Sequence, residues 1–396
     1  GGWRLEHGAL HLDGALKIAD RAASPRFKPM ASGDVALALV AGRVTGRASL
    51  QPLGRRERIA DVVLRHDLAS GVGDATLDVP GIAFRRGGLQ PEMLTPLTLG
   101  VVANVTGVVT GRGRIDWTPR ETRSGGDFHT DALDLAAAFG PVSGIATRIH
   151  FTDLLGLVSA PHQEARIAAL NPGVIVGDGI AHYQLLPGNR VAVEDARWPF
   201  AGGTLMLEPG ILDFSRPTDR RLTFTIAGLD AATFIQQLDF PNIAATGTFD
   251  GRLPMIFDAT GGRIEGGALV ARGPGTLAYV GELSNADIGT IGRLAFDALK
   301  AIRYSALTIS LDGKLEGEIV SKVRFEGVRQ ATGERSIVAR AIRNLPFRFN
   351  IAIRAPFRGL VGSARSYADP GLLLQGVQGL AARPPAVQPP ATPLVR

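Results

Sequence analysis

The stretch Leu307-Thr308-Ile309-Ser310-Leu311-Asp312-Gly313-Lys314-Leu315-Glu316-Gly317-Glu318-Ile319-Val320-Ser321-Lys322-Val323-Arg324-Phe325 decides the fold class. Leu307, Ile309, Leu311, Leu315, Ile319, Val323 and Phe325 are odd-numbered and apolar; Thr308, Ser310, Lys314, Glu316, Glu318, Lys322 and Arg324 are even-numbered and polar. Asp-Gly between two such segments signals a hairpin. A two-residue turn over Asp312-Gly313 sets Leu311 opposite Lys314, and that slip sends the second strand's apolar set to the wrong face. A three-residue loop, Leu311-Asp312-Gly313 with a left-handed glycine, pairs Ser310 with Lys314 and Ile309 with Leu315, and keeps one face apolar. The sequence predicts that hairpin, within an antiparallel sheet wet on one side.

Reading outward, the apolar-Asp-Gly-x-Leu pattern recurs as Leu12-Asp13-Gly14-Ala15-Leu16 and Phe249-Asp250-Gly251-Arg252-Leu253. The same alternation runs through Leu222, Phe224 and Ile226, and through Phe347, Phe349, Ile351 and Ile353. Weaker copies lie at Val35 to Leu39, Val62 to Leu64, Ala75 to Val79 and Val101 to Ile115. Helices are few. Ser284 to Ile302 carries an N-terminal Ser284/Asp287 capping pair and a stripe of Ile288, Ile291, Leu294, Ala295, Leu299 and Ile302. Shorter helices are predicted over Ala231 to Leu238, Asp131 to Phe139 and Pro370 to Leu380. Beyond Ala382 the prolines remove backbone donors, so an extended tail is expected.

Composition agrees with a chain that turns often. Glycine and proline, 50 and 25 of 396 residues, exceed their usual share, yet 45% of the chain is hydrophobic, too much for collagen or disorder. The absence of cysteine excludes a disulfide framework, a thiolate zinc site and a cysteine nucleophile. No apolar run approaches the ~18 residues a spanning helix needs. The chain opens on Gly1-Gly2-Trp3 with neither Met nor a leader, which reads as a piece of a longer protein. The net charge is +6, and only Lys17, Lys28, Lys300, Lys314 and Lys322 are lysines. Between Glu334 and Asp369 no acid occurs, while Arg335, Arg340, Arg343, Arg348, Arg354, Arg358 and Arg365 do. That segment is either a solvated basic face or an attractor of anionic headgroups or an acidic partner.

Catalytic signatures are missing. His7 and His11 have helical spacing, but Gly8 and Gly14 argue against a helix and no HExxH pattern forms. Gly71-Val72-Gly73 and Gly111-Arg112-Gly113 lack the rest of a phosphate loop and read as turns. No GxSxG elbow exists, and Glu194-Asp195 reads as solvated charge at a strand end. The aromatic residues alternate away from the arginines, which argues against nucleic-acid binding. No enzyme activity, cofactor or metal is expected. What remains is one-sided sheet, whose apolar face must leave water at roughly 25 cal/mol per Å². Two solutions exist: a sandwich filled by its own side chains, or a gutter that holds an apolar guest such as an acyl chain.

Several segments narrow that choice: Pro96-Leu97-Thr98-Leu99-Gly100-Val101-Val102-Ala103-Asn104-Val105, Trp198-Pro199-Phe200-Ala201-Gly202-Gly203-Thr204-Leu205, Gly261-Gly262-Arg263-Ile264-Glu265-Gly266-Gly267, Arg324-Phe325-Glu326-Gly327-Val328 and Leu345-Pro346-Phe347-Arg348-Phe349-Asn350. In this order they resemble the C-terminal part of YdbH-type proteins of the AsmA-like group, which includes TamB and YhdP. The resemblance covers roughly residues 60 to 378 and is specific in combination.

It implies a mainly β fold, a long twisted antiparallel sheet curled into a taco-like hydrophobic groove with a few short amphipathic helices. It implies a periplasmic conduit passing phospholipid between inner and outer membranes, anchored in the inner membrane by an N-terminal helix not in this sequence. An outer-membrane lipoprotein partner is implied at the C-terminal end, joined by strand addition. An older label for the family, dicarboxylate transport, fits poorly, because neither spanning helices nor an enclosed cationic pocket is visible. The alternative is an envelope scaffold, a filled sandwich that binds proteins through an edge strand.

On the groove reading, residues 1–140 form a first section, 141–380 a C-terminal section, and 381–396 a flexible tail. Leu222, Phe224, Ile226, Leu253, Met255, Phe257, Ile309, Leu315, Ile319, Val323, Phe325, Phe347, Phe349, Ile351 and Ile353 would line the groove. Arg343, Arg348, Arg354 and Arg358 would meet headgroups or the partner, and the helix from Ser284 to Ile302 would be a lid or an ordinary packing element.

Overall fold

The computed structural model describes residues 1–137, 140–171, 176–216, 218–237, 243–258, 261–279, 302–315, 318–327, 329–330 and 349–356. Period-two alternation gives each strand one apolar side, and the strands pair with their neighbours in chain order. The meander runs antiparallel from Gly2–Glu6 through Ala9–Ile18, Met30–Val40, Arg43–Pro52, Ala60–Asp67, Gly73–Phe84, Val102–Trp117, Thr122–Ala137 and Gly140–Asp153. It continues through Gln163–Leu170, Val176–Leu186 and Arg190–Phe200, which pairs with both short strands Gly203–Leu207 and Gly210–Asp213. Arg220–Asp230, Thr248–Asp258, Gly261–Ala271, Ala306–Lys314, Glu318–Glu326 and Phe349–Pro356 complete it. Among the described residues no pairing joins the first strand to the last, so the sheet is open rather than a barrel.

The sheet folds over on itself. Val102 on Val102–Trp117 and Phe257 on Thr248–Asp258 are eight pairings apart along the meander. In a flat sheet at ~4.8 Å per strand they would be roughly 38 Å apart. Both line one cavity of about 260 Å³, so the apolar sides face one another. The larger buried cluster gathers Val142, Trp198, Phe200, Phe224, Phe257, Ile264 and Phe325. A smaller one holds Leu50, Ile59, Phe84, Leu89 and Val105, and Leu135 packs against both.

The expected helix from Ala231 is present as Ala231–Gln237. Asp230 caps it, accepting from the Thr233 backbone N–H at 2.8 Å and the Thr233 hydroxyl at 2.7 Å. A second sheet of Ile243–Thr246, Gly275–Tyr279, Ile302–Tyr304 and Arg329–Gln330 accompanies it. Together they cover part of the large cluster: Phe234 meets Phe200 edge-on at 5.8 Å, and the Tyr304 ring lies 6.2 Å from that of Phe325. The helix expected from Ser284 falls mostly outside the described residues, but Ile302, its expected last residue, opens a strand. Pro370 to Leu380 and the tail also lie outside them. The helix expected over Asp131 to Phe139 is instead the end of strand Thr122–Ala137. There Leu133 and Leu135 alternate, and they pair with Ile145 and Val142. Period two wins because a neighbouring strand supplies apolar partners that no helix face had. Among the described residues no helix is long and apolar enough to cross a membrane.

The Asp-Gly pairs are not turns. Leu311, Asp312 and Gly313 lie inside Ala306–Lys314, and the chain reverses later, pairing Ile309 with Val323 and Ser310 with Lys322. The partner of Ile309 moves from Leu315 to Val323, an even step, so the apolar and polar faces remain as expected. Asp312 serves the neighbouring strand instead: its carboxylate accepts the Gly266 N–H at 2.6 Å. Gly266 has φ +68°, a left-handed conformation suited to glycine, at a register shift between Ile264 and Gly267. Asp250 does the same for Gly228 at 2.9 Å, across the shift between Ile226 and Leu229. Asp134, which no Asp-Gly pair announced, accepts from Gly144 at 2.8 Å. Asp13-Gly14 also lies within a strand, beside a register shift. Gly111 and Gly113, expected in a turn, are inside Val102–Trp117, where a Cβ on Gly111 would meet the Asp127 carbonyl at 2.5 Å. These carboxylates hold bulges, and bulges add the twist that lets a long sheet curl.

Two outcomes follow from the clamps. Asp312→Ala should lower stability to urea by about 1–2 kcal/mol through loss of a charge-assisted hydrogen bond, while Asp312→Asn, which accepts without the charge, keeps about half of it. Asp34 spans the register shift between Ala31 and Ala36, accepting from the Ser49 N–H and the Ser32 hydroxyl, each at 2.8 Å. Those bonds, the Ser49 N–H first, pull its carboxyl from 3.8 down to about 2. Its contribution is complete above its unfolded value and disappears as pH falls through about 2. Acid unfolding of Asp34→Asn should therefore depend less steeply on pH between those values.

Candidate functional site

The strand Arg220–Asp230 is the floor of the site. Leu222, Phe224 and Ile226 point to one side and are buried, Phe224 to 1% exposure. Neighbouring strands extend the row sideways: Leu205 pairs with Ile226, Leu207 and Leu253 flank Phe224, and Met255 pairs with Leu222. A cavity of about 260 Å³ opens above this floor. Val102, Leu135, Val142 and Ile145 form one wall, Ile167, Ala181, Val193 and Trp198 the roof, and Phe257 joins Leu222 and Phe224 at the floor. A second cavity of about 80 Å³ continues beyond Phe224, bounded by Phe200, Ile226, Met255, Ile264 and Leu269. Phe224 walls both.

Four residues with polar side chains, Thr147, His182, Tyr183 and Arg220, reach the larger cavity, besides the Trp198 indole. The Thr147 hydroxyl donates to the Glu164 carbonyl at 2.7 Å and lies 3.0 Å from the Tyr183 hydroxyl. Burial pushes the Tyr183 phenol up, opposed by that bond. His182 lies 2.9 Å from Asp195. The Arg220 guanidinium stacks on Phe214, 4.6 Å from the ring centroid. The Trp198 indole lies against Gly179, where an added Cβ would come within 1.8 Å of Nε1, so only glycine fits beneath it. Such a lining offers hydrocarbon contact over most of its surface. The volume falls just short of the ~300–1,000 Å³ of ordinary small-molecule pockets, so a long chain entering here must spread the walls.

Most of the residues expected to line a groove converge on this cluster. Leu222, Phe224, Ile226, Met255, Phe257, Leu315, Val323 and Phe325 are buried members of it, and Leu253 and Ile309 pack against it half-buried. Leu315 follows the strand rather than facing Ile309, and its N–H donates to the Gly262 carbonyl at 2.8 Å. Ile319 pairs with Gly313, while Phe349, Ile351 and Ile353 pair with Phe325, Val323 and Ser321. Arg354 pairs with Val320. Phe347, Arg343, Arg348 and Arg358 lie outside the described residues. Sequence reasoning missed the roof and the cation. The alternation of Ala196, Trp198 and Phe200 was a legible signal for the first, and Arg220, in step with Leu222 and Phe224, for the second.

Glu194 and Asp195 lie inside Arg190–Phe200, not at a strand end, and meet His162, just before strand Gln163–Leu170, and His182 on the neighbouring strand. Glu194 falls at the register shift between the His182–Asp195 and Tyr183–Val193 pairs. Among the described residues no group of three or more His, Asp or Glu is placed to hold a metal.

Comparison with known families gives one match, over residues 2–375, to the YdbH-like family model, described as intermembrane phospholipid transport protein YdbH. No curated protein and no solved structure matches the chain.

Because Phe224 separates the two cavities, Phe224→Ala should join them. Truncating a buried Phe costs about 3–5 kcal/mol. Urea unfolding should show a loss of that size, and apolar dye binding should rise in whatever fraction remains folded.

Proposed function

This chain belongs to the YdbH-like family, and from that premise we propose that it is a length of hydrophobic conduit carrying phospholipid across the periplasm between the inner and outer membranes. The single observation that supports this most is the larger cavity: an apolar chamber enclosed by the folded-over inner face of one continuous sheet. Acyl chains would lie along that face, against Leu222, Phe224, Ile226, Leu253, Met255 and Phe257, then Ile309, Leu315, Val323 and Phe325. Ile319, Phe349, Ile351 and Ile353 would extend the row by strand parity. Each buried methylene gains ~0.8 kcal/mol in the limit, without direction, so neighbouring positions have similar energies and a chain can slide.

The remaining roles follow from the same reading. The lipoprotein partner would add a strand beside Phe349–Pro356, which among the described residues pairs only with Glu318–Glu326. Arg354 and the other arginines of that segment would draw headgroups or the partner toward this end. The scaffold reading is favoured by one observation only, the dense interior around Phe325, which is 0% exposed.

Mass spectrometry of lipid extracted from the purified, folded chain tests the conduit. Phospholipid should be present, and Val193→Trp, which fills the larger cavity, should remove most of it while leaving the circular dichroism of the sheet unchanged. A well-folded chain that carries no lipid, or a Val193→Trp chain that carries as much as the parent, would exclude transport through this space.

A further inference from the structure

We infer that Arg220 is a phosphate-holding station inside the conduit, gripping the anionic group of a lipid whose chains fill the larger cavity. Arg220 stands in step with Leu222, Phe224 and Ile226, on a row where the alternation calls for an apolar side chain. Among the described residues it is the one permanently charged side chain lining that cavity. The acids nearest to it in sequence are engaged elsewhere: Asp219 lies 3.6 Å from Arg263, and Asp213 accepts from Ser215 at 2.6 Å. Its Nε is buried and has no hydrogen-bond partner.

The guanidinium is nonetheless held in place. It stacks on Phe214, and the Phe214 backbone is latched to Asn189, donating to its carbonyl at 2.9 Å. Stacking on a ring face leaves the in-plane N–H donors free, the geometry that matches a phosphate or carboxylate bidentately. The Trp198 Nε1–H, in the same lining, is a second buried donor without a partner. The buried polar atoms of this lining left unpaired are thus both donors. An occupant that satisfies them brings acceptors together with a large apolar body. A phospholipid does so with its phosphate and ester carbonyls; a free fatty acid shares the anionic chemistry through its carboxylate. A neutral diacylglycerol has only the carbonyls.

This inference rests on the conduit reading, and the experiment separates the two. The 396-residue chain and its Arg220→Gln and Arg220→Lys variants are incubated with vesicles doped with phosphatidylglycerol, diacylglycerol or oleate, and retained lipid is quantified by mass spectrometry. The parent chain should retain phosphatidylglycerol roughly tenfold better than diacylglycerol, the size of one charge-assisted hydrogen bond. Arg220→Gln should erase that preference without changing diacylglycerol retention, and Arg220→Lys, which keeps the charge but neither the ring stacking nor the two-donor fork, should keep only part of it. Equal preference in the parent and Arg220→Gln chains overturns the station while leaving the conduit standing. Retention of oleate alone, dependent on Arg220, overturns the phosphate assignment in favour of a carboxylate. Retention of none of the three overturns both readings.

Discussion

The structure depends on one constraint: strands with a greasy side and a wet side, and few helices to cover the greasy one. An apolar face of this size cannot remain in water, since each Å² costs roughly 25 cal/mol. Among the described residues the covering elements are short: the helix Ala231–Gln237, the small sheet that includes Ile302–Tyr304, and the turns Pro91–Met93 and Pro96–Thr98 beside Leu89 and Leu94. The long sheet must therefore bury most of its apolar face against itself. Folding over brings Val102 and Phe257 to one chamber across many intervening strands, and it leaves the edges open rather than closing a barrel.

Curling a sheet demands local irregularity, and the chain supplies it with a repeated small device. An aspartate on one strand accepts a backbone N–H from a left-handed glycine on the next, at Asp134, Asp250 and Asp312. Each bond satisfies a donor that the disturbed ladder would leave unmade. Each bulge also adds twist on the side where the sheet must bend. The cost of leaving the regular ladder is thereby kept small at the places where curvature is generated.

The interior produced this way is uneven. Around Phe325 side chains fill the space, whereas between Ile167, Ala181 and Phe224 they leave a chamber. Small residues make the difference: Ala165, Ala181 and Ala196 line the chamber roof, and Gly179 lets the Trp198 ring lie flat. Apolar contact alone gives a smooth path for hydrocarbon. Arg220 and Trp198 interrupt the apolar lining with buried donor atoms that have no hydrogen-bond partner.

Much of this was legible in the residue order. Alternation from Leu222 to Ile226 and from Leu307 to Phe325 determined that the fold is antiparallel sheet and which side chains share a face, because side-chain direction has a period of two whatever the neighbours do. The position of the last hairpin was not legible. Asp312-Gly313 has the composition of a turn, and only the presence of Gly266 on an adjacent strand makes it a bulge clamp. Asp131 to Phe139 read as a short helix, a pattern that partners on Gly140–Asp153 overrode up to Ala137. Where the inner faces meet closely and where they stand apart was likewise decided in three dimensions. Face is a local property of each residue, whereas register and cavity depend on what the rest of the chain brings alongside.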